Sequence, residues 1–499
     1  MSAEAAPHHV QLLRDHLAGR RVVVLLDVLV ASAAYATRLQ ELGVKEMLLV
    51  GGSRGTGEID AEVEREAVVL GTAGDDLMGA IRAFEATVSD PPRELREAID
   101  AFDPEGEALV ITTMFSSRRQ VCGREVFGAR EPRWLELEDK TTVDAFWDAA
   151  EVPRAPSAIV ASDLDELLRA SEPLDRGLGT VWVADNREGW HGGGSGLRWV
   201  RTRADAQAAA THLAGIADVV RVMPFLEGRP CSIHGWVLGD DVIVSRPCET
   251  VMWREPMASR LWYGGAAATT WRPDEAAATQ MRQIARKVGE HLREVVDYRG
   301  VFTVDGVLTE DGFRPSELNP RFGAAIATLG RDSGLPLYLL NCLSIDVPAL
   351  DWRASELEEA IVGGQGWAAA FLMLDGLAVE QRSARVLRDG PGWCVEDARS
   401  EQDEPKEVED EQPGVADERD VPGTQGEQPG GEDDPGSPPR AEVARVELGS
   451  GPTGAFLRII LADHPEGCPV APAVAELLPV VGDHLGIELP RLEAAPDLR

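Results

Sequence analysis

Between Tyr298 and Gly323 the chain reads YRGVFTVDGVLTEDGFRPSELNPRFG. Its oxygen-bearing side chains fall at positions that can converge. Asp305 lies on the first of two strand-like runs, 300–308, and Glu317 and Asn319 lie on or just past the second, 313–318. A two-residue step puts Glu317 and Asn319 on one face of a strand. A turn at 309–312 folds the runs together and brings Asp305 beside them. Two carboxylates and an amide oxygen are hard ligands, suited to Mg²⁺ (or Mn²⁺) shared with phosphate oxygens and water. Arg321 follows at the same step and is placed to hold charge on a transferring phosphoryl group. Solvated side chains on an acidic hairpin are the plainer alternative, but they do not explain all four residues sharing one face.

The elements around this hairpin follow from hydrophobic periodicity. Strands at 22–26, 46–50 and 108–113, with a helix at 32–42 ending at Gly43, indicate a small parallel α/β unit. After about Leu135 the texture changes. A helix at 141–150 and strands at 158–160 and 180–184 precede a glycine-rich run, Gly192, Gly193, Gly194, Ser195 and Gly196. Further strands at 219–223, 231–238 and 242–245 and a helix at 275–295 lead into the hairpin. From about Ser355 a third region carries strands at 367–374, 441–447 and 455–461. The length of 499 residues predicts about three domains.

The upstream segments EDKTTVDAFWDAAEVPRAP and VRVMPFLEGRPCSIHG, together with SELNPRFG, resemble the ATP-grasp superfamily over about residues 135–345. The phrases REGWHGGGSG and DGFRPSELNPRFG are similar to bacterial peptide ligases of the pheganomycin type. This resemblance implies a Rossmann-like pre-ATP-grasp α/β domain at 1–130 and a two-lobed ATP-grasp domain at 131–350. A small C-terminal α+β domain follows in two parts, 351–398 and 441–499, with an acidic insert at 399–440. It implies ATP and Mg²⁺ as cofactors. Lys140, one of four lysines in the chain, would contact the nucleotide. Gly192, Gly193, Gly194 and Ser195 would cover the phosphates, since glycine lets backbone N–H groups approach an anion. Phe225 and Leu226 would offer backbone groups to adenine, and Glu227 would face the ribose. Asp305, Glu317 and Asn319 would hold the metal, with Arg321 catalytic. Many members carry a lysine on the strand before the glycine loop, where this chain has Ala184 and Asp185, and a glutamate after the hinge, where it has Pro230. Arg246 is the first candidate for the missing cation and Arg254 the second. The implied reaction is ligation of a small-molecule or peptide carboxylate to an amine through an acyl phosphate. The alternative is an ATP-binding pseudoenzyme acting as a scaffold.

Composition narrows the partners. The net charge is −36, from 85 acids and 49 bases, which argues against nucleic acid and anionic membranes. Residues 401–442 hold 15 acids and 3 bases, a net of −12, so a third of the imbalance is local. Residues 400–440 lack aromatics and are expected to be disordered. Six cysteines with no C-x-x-C pair point to a reducing cytoplasm rather than disulfides or zinc. No apolar run is long enough to span a bilayer. A homodimer is left open. GGSRGTG, from Gly51, fits a dehydrogenase fingerprint, but no tyrosine is followed four residues later by lysine, which argues against hydride transfer. His191 and His234 are expected to be structural. The tryptophans of the middle region read as core and pocket walls.

Overall fold

The computed structural model describes residues 5–56, 59–72, 74, 77–184, 194, 196–255, 260–265, 270–329, 334–363, 367–398, 441–450, 454–462, 464–465 and 467–494. Its architecture is mixed α/β and α+β, as the periodicity predicts. The first sheet is parallel, with Val68–Val69, Glu46–Ser53, Arg21–Val28 and Leu109–Ile111 side by side in that order. Val22, Val24 and Leu26 enter one apolar core, while Val23 and Leu25 enter another with Phe84. This two-sided burial is why the run VVVLL lacks polar alternation. Gly51 and Gly52 lie inside the Glu46–Ser53 strand, not in a phosphate loop. A Cβ on Gly51 would stand 2.6 Å from the Leu29 nitrogen, so glycine here serves close helix packing.

Two antiparallel sheets follow. The first orders Ala158–Ala161, Val219–Pro224, Thr180–Ala184 and Leu197–Val200. Trp182, Ala184, Val220 and Val222 pack on one side with the helix Arg203–Ile216. Val181, Leu197, Trp199 and Phe225 belong to a separate cluster on the other side. The second sheet orders Asp241–Val244, Arg229–Leu238, Gly300–Thr309 and Gly312–Asn319, and Cys248–Glu249 also pairs with Arg229–Leu238. Its backing helix, Glu275–Val296, is capped by Asp274, whose carboxylate accepts from Ala277 N at 2.8 Å. That helix buries Met281, Ile284, Ala285, Val288 and Leu292, the 3–4 spacing of one helical face.

The C-terminal sheet is five-stranded, in the order Ala369–Asp375, Gly454–Leu461, Glu442–Ser450, Arg382–Asp389 and Gly392–Asp397. The sequence reading placed three of these strands and missed the Arg382–Asp389/Gly392–Asp397 hairpin. The expected disordered insert falls outside the described residues. The helix Val470–Leu485 covers this sheet, and its first N–H groups are received by buried Glu249, at 2.6 Å from Val470 and 3.4 Å from Ala471. Among the described residues, no helix is long and apolar enough to cross a membrane.

Candidate active site

The hairpin sheet has two unlike faces. Cys231, Ile233, Phe302, Val304, Phe313 and Leu318 point into the core under the Glu275–Val296 helix. The alternate positions carry polar groups in two cross-strand rows. Cys248, Ser232, Asp305 and Glu317 are successive partners in one row. His234, Thr303 and Asn319 are partners in the next. Farther along, Trp236 and Val301 return to the core shared with the N-terminal unit. The polar set is therefore a patch bounded on one side by that core. The pairing register shifts between Asp305 and Gly306, leaving Ser316 without a strand partner beside Glu317.

The side chains form one connected chain of charge. Ser232 Oγ donates to Asp305 in a short bond. Asn319 Nδ2 donates to the other Asp305 oxygen at 2.7 Å, and Arg321 Nη2 donates to Asn319 Oδ1 at 2.9 Å. Arg321 Nε reaches Glu138 at 3.2 Å, and Arg130 reaches the second Glu138 oxygen at 2.6 Å. Lys140 Nζ lies 2.9 Å from Glu317 Oε1. The guanidinium of Arg321 also stands 4.9 Å from the Phe115 ring, carried on the loop after the parallel sheet.

Burial sets the electrostatics. Asp305 is pushed up to about 6 by burial and by the neighbouring Glu317, against the Ser232 bond and the charges of Arg321 and Lys140. Glu138 moves the other way. Burial pushes it up, but Arg321 and Arg130 outweigh that and hold it below the ordinary carboxylate range. His234 is lowered to about 3 by burial, so it is neutral, and it bonds Thr303 Oγ1 at 2.8 Å. Its structural role matches the expectation from sequence.

The donor set fits a divalent cation. Asp305 and Glu317 face each other across the strands, and their mutual repulsion is what a dication relieves. The Asn319 amide oxygen accepts from Arg321, and its nitrogen donates to Asp305. Asn319 joins a cation only after turning that amide. Among the described residues, no three His, Cys, Asp or Glu side chains group as metal ligands, so the set is two acids plus an amide.

The other predicted residues are distributed as follows. Lys140 meets a proposed metal ligand rather than standing apart at the base end. Phe225 stacks on Trp199 with ring centroids 4.4 Å apart, and its N–H is taken by the Gly179 carbonyl at 3.2 Å. Of the backbone groups expected to face adenine, its N–H is thus engaged within the sheet. With Leu226 and Glu227 it lines a cavity of about 460 Å³, whose other walls include Arg154, Arg176 and Arg314. Arg314 pairs with Val307, two residues along the strand from Asp305. Gly192, Gly193 and Ser195 lie outside the described residues. Gly194 has φ +73°, in the left-handed region that favours glycine. Arg246 is buried, sends Nη1 to the Val362 carbonyl at 3.5 Å, and is felt at Cys248. Arg254 pairs with Glu493 at 2.6 Å. Ala184 packs on the helix side of its sheet, so it could not have held a cleft-facing lysine.

Sequence reasoning missed Ser232, Thr303, Glu138, Arg130 and Tyr263. Alternation along 230–236 signals Ser232 and His234 together, and Glu138 precedes Lys140 by the same two-residue step. Tyr263 carried no signal. It packs near Cys248 and Ala325, and its hydroxyl pKa is raised by burial and then by Asp305.

No protein-family model and no curated protein matches the chain. Among solved structures it is similar to a biotin carboxylase–ATP-analogue complex from Campylobacter jejuni, at 16% identity over 74% of this chain and 79% of that one, TM-score 0.47. It is similar to a carboxyaminoimidazole ribonucleotide synthase with ATP from Aspergillus clavatus, at 15% identity over 72% and 83%, TM-score 0.45. A phosphoribosylamine–glycine ligase from Thermotoga maritima is similar at 15% identity over 76% and 90%, TM-score 0.41. Identities this low leave the chemistry to the site's own side chains.

Proposed function

We propose that the cleft binds ATP with a divalent cation and activates a carboxylate for ligation to an amine, in the manner of an ATP-grasp ligase. One observation carries this reading. Asp305, Glu317, Asn319, Arg321 and Lys140 form a single linked cluster on a bounded polar patch. A merely solvated acidic hairpin has no reason to thread its acids between partly buried cations.

A cation held by Asp305 and Glu317 would neutralise phosphate charge. The chain's own groups do the rest. Lys140 exchanges its contact with Glu317 for phosphate oxygens. Arg321, locked by Glu138, stands beside the acids as a fixed positive charge for the transferring phosphoryl group. The substrate carboxylate oxygen attacks the γ-phosphorus and ADP leaves. The amine then attacks the acyl carbon and phosphate leaves, so ATP, acid and amine become amide, ADP and phosphate. No protein nucleophile is required. Peptide-bond formation in natural-product assembly, with small acids or peptides as substrates, is the specific form we favour.

The test is an ADP-release screen with pooled amino acids and short peptides. Amine-dependent release that is lost in Asp305→Ala and Glu317→Ala supports the reading, and undiminished release from both removes it. One observation favours a second reading, an ATP-binding scaffold without turnover. The described cleft-side positions of the Thr180–Ala184 strand include Val181 and no cation. Nucleotide binding with no product across the panel would select that reading.

A further inference from the structure

Arg221 is a buried cation between the two antiparallel sheets, and no sequence signal marked it. It lies on the Val219–Pro224 strand. Val220 and Val222 on either side of it pack toward the helices, so Arg221 takes the opposite face with its cross-strand partner Val183. Its side chain is 0% exposed. Nε and Nη2 both donate to the Asp144 carboxylate, at 3.1 and 2.5 Å. Nη1 donates to the Ser316 carbonyl at 2.8 Å.

Both partners adjoin the site. Asp144 stands in the first turn of the Val143–Ala149 helix, four residues after Lys140. It is held from its other side by Ser157 in a short bond and by Arg154 at 3.7 Å. Ser316 is the residue that the register shift leaves without a strand partner, directly before Glu317, and its hydroxyl meets the Asp305 carbonyl at 3.3 Å. One guanidinium thus fastens the segment bearing Lys140 and the segment bearing Glu317.

A buried ion pair is a weak source of stability, because desolvation offsets most of the attraction. Its planar fork, however, fixes three directions at once, which an ammonium does not. Resting on the reading of the cleft as a nucleotide–cation site, we infer that Arg221, clamped by Asp144, is a positioning residue. It holds Lys140 and Glu317 in register, so that nucleotide and cation are received together.

The test is Mn²⁺ titration of the full chain in the presence of ADP, followed by electron paramagnetic resonance, with thermal melting alongside. Two variants are compared with wild type. Arg221→Lys keeps the charge and loses the fork. Arg221→Met/Asp144→Leu removes both charges and leaves neither uncompensated. Wild type is expected to bind Mn²⁺ with ADP. Both variants are expected to bind it about tenfold or more weakly, the scale of lost support around a metal ligand, while still melting cooperatively. Unchanged binding in folded variants overturns the clamp and leaves the site reading intact. Loss of folding in both assigns Arg221 to stability alone and overturns it too. Absence of binding in wild type overturns the site reading, and this inference with it.

Discussion

Two of the places where carboxylates leave solvent differ in their surroundings. At the end of the parallel sheet, Asp27 and Glu85 are both raised by burial, and the groups that reach Glu85 are the hydroxyls of Thr113, at 2.5 Å, and Ser116. In the hairpin sheet, Asp305 and Glu317 are partly buried together, but Lys140, Arg321 and the Arg130–Glu138 pair surround them. Burial is the first cause that raises Asp27, Glu85 and Asp305 alike. Alternating charge sets the second apart, since it prepares a surface for both an anion and a cation. At the first pair the described neighbours are two hydroxyls and the charge of Arg118 beside Glu85, without the linked run of acids and cations of the second.

The comparison predicts unequal responses to substitution. Asp305→Ala and Glu317→Ala should each reduce cation-dependent ADP release by about 10²–10³-fold or more, while Asp27→Asn leaves it unchanged. Equal loss at both pairs would erase the distinction. Arg321→Ala should lower turnover by about 10²–10³-fold with a smaller effect on nucleotide KM, the pattern of a group acting mainly in the transition state. A change confined to KM would move Arg321 to ground-state binding. Glu138→Gln should weaken cation affinity by about 10–100-fold by freeing Arg321, and titration with Mn²⁺ reads this directly.

Stability should depend on pH with a sign for each acid. Asp305 is raised on folding from 3.8 to about 6. Its contribution is full below about pH 4 and is lost as pH rises through about 6. Glu138 is lowered from 4.5, so its contribution is present above that value and lost as pH falls through the depressed value. Melting curves across this range should show Asp305→Asn flattening the upper loss and Glu138→Gln flattening the lower one. The reverse assignment would refute the proposed charge states. The smallest effect expected is a slight rise in melting temperature near neutral pH for Asp27→Asn, which removes a buried acid without opening a gap.

Much of the site was legible because strand alternation is local. The two-residue step puts Glu317 and Asn319 on one face, but the 309–312 turn alone would pair Asp305 with Ser316, and only the register shift beside Gly306, which the sequence reading did not foresee, brings Asp305 opposite Glu317. The hairpin observed, Gly300–Thr309 with Gly312–Asn319, follows directly. Glycine positions misled for the same reason that they were noticed. Gly51 and Gly52 match a loop fingerprint but serve close contacts, Gly51 with the Leu29 backbone and Gly52 with Thr72 and the Asp27 carbonyl, that only packing reveals.

By itself, then, the sequence determined the hairpin's two strands and the shared face of Glu317 and Asn319, since periodicity acts between near neighbours, while the register shift that sets Asp305 opposite Glu317 appeared only in the fold. Tertiary structure decided which cations meet those acids. Lys140 lies 177 residues before Glu317, and Glu138 lies 183 before Arg321. Arg221 reaches Asp144 across 77 residues and Ser316 across 95. Contacts at such separations depend on how sheets dock, and no local pattern encodes the docking.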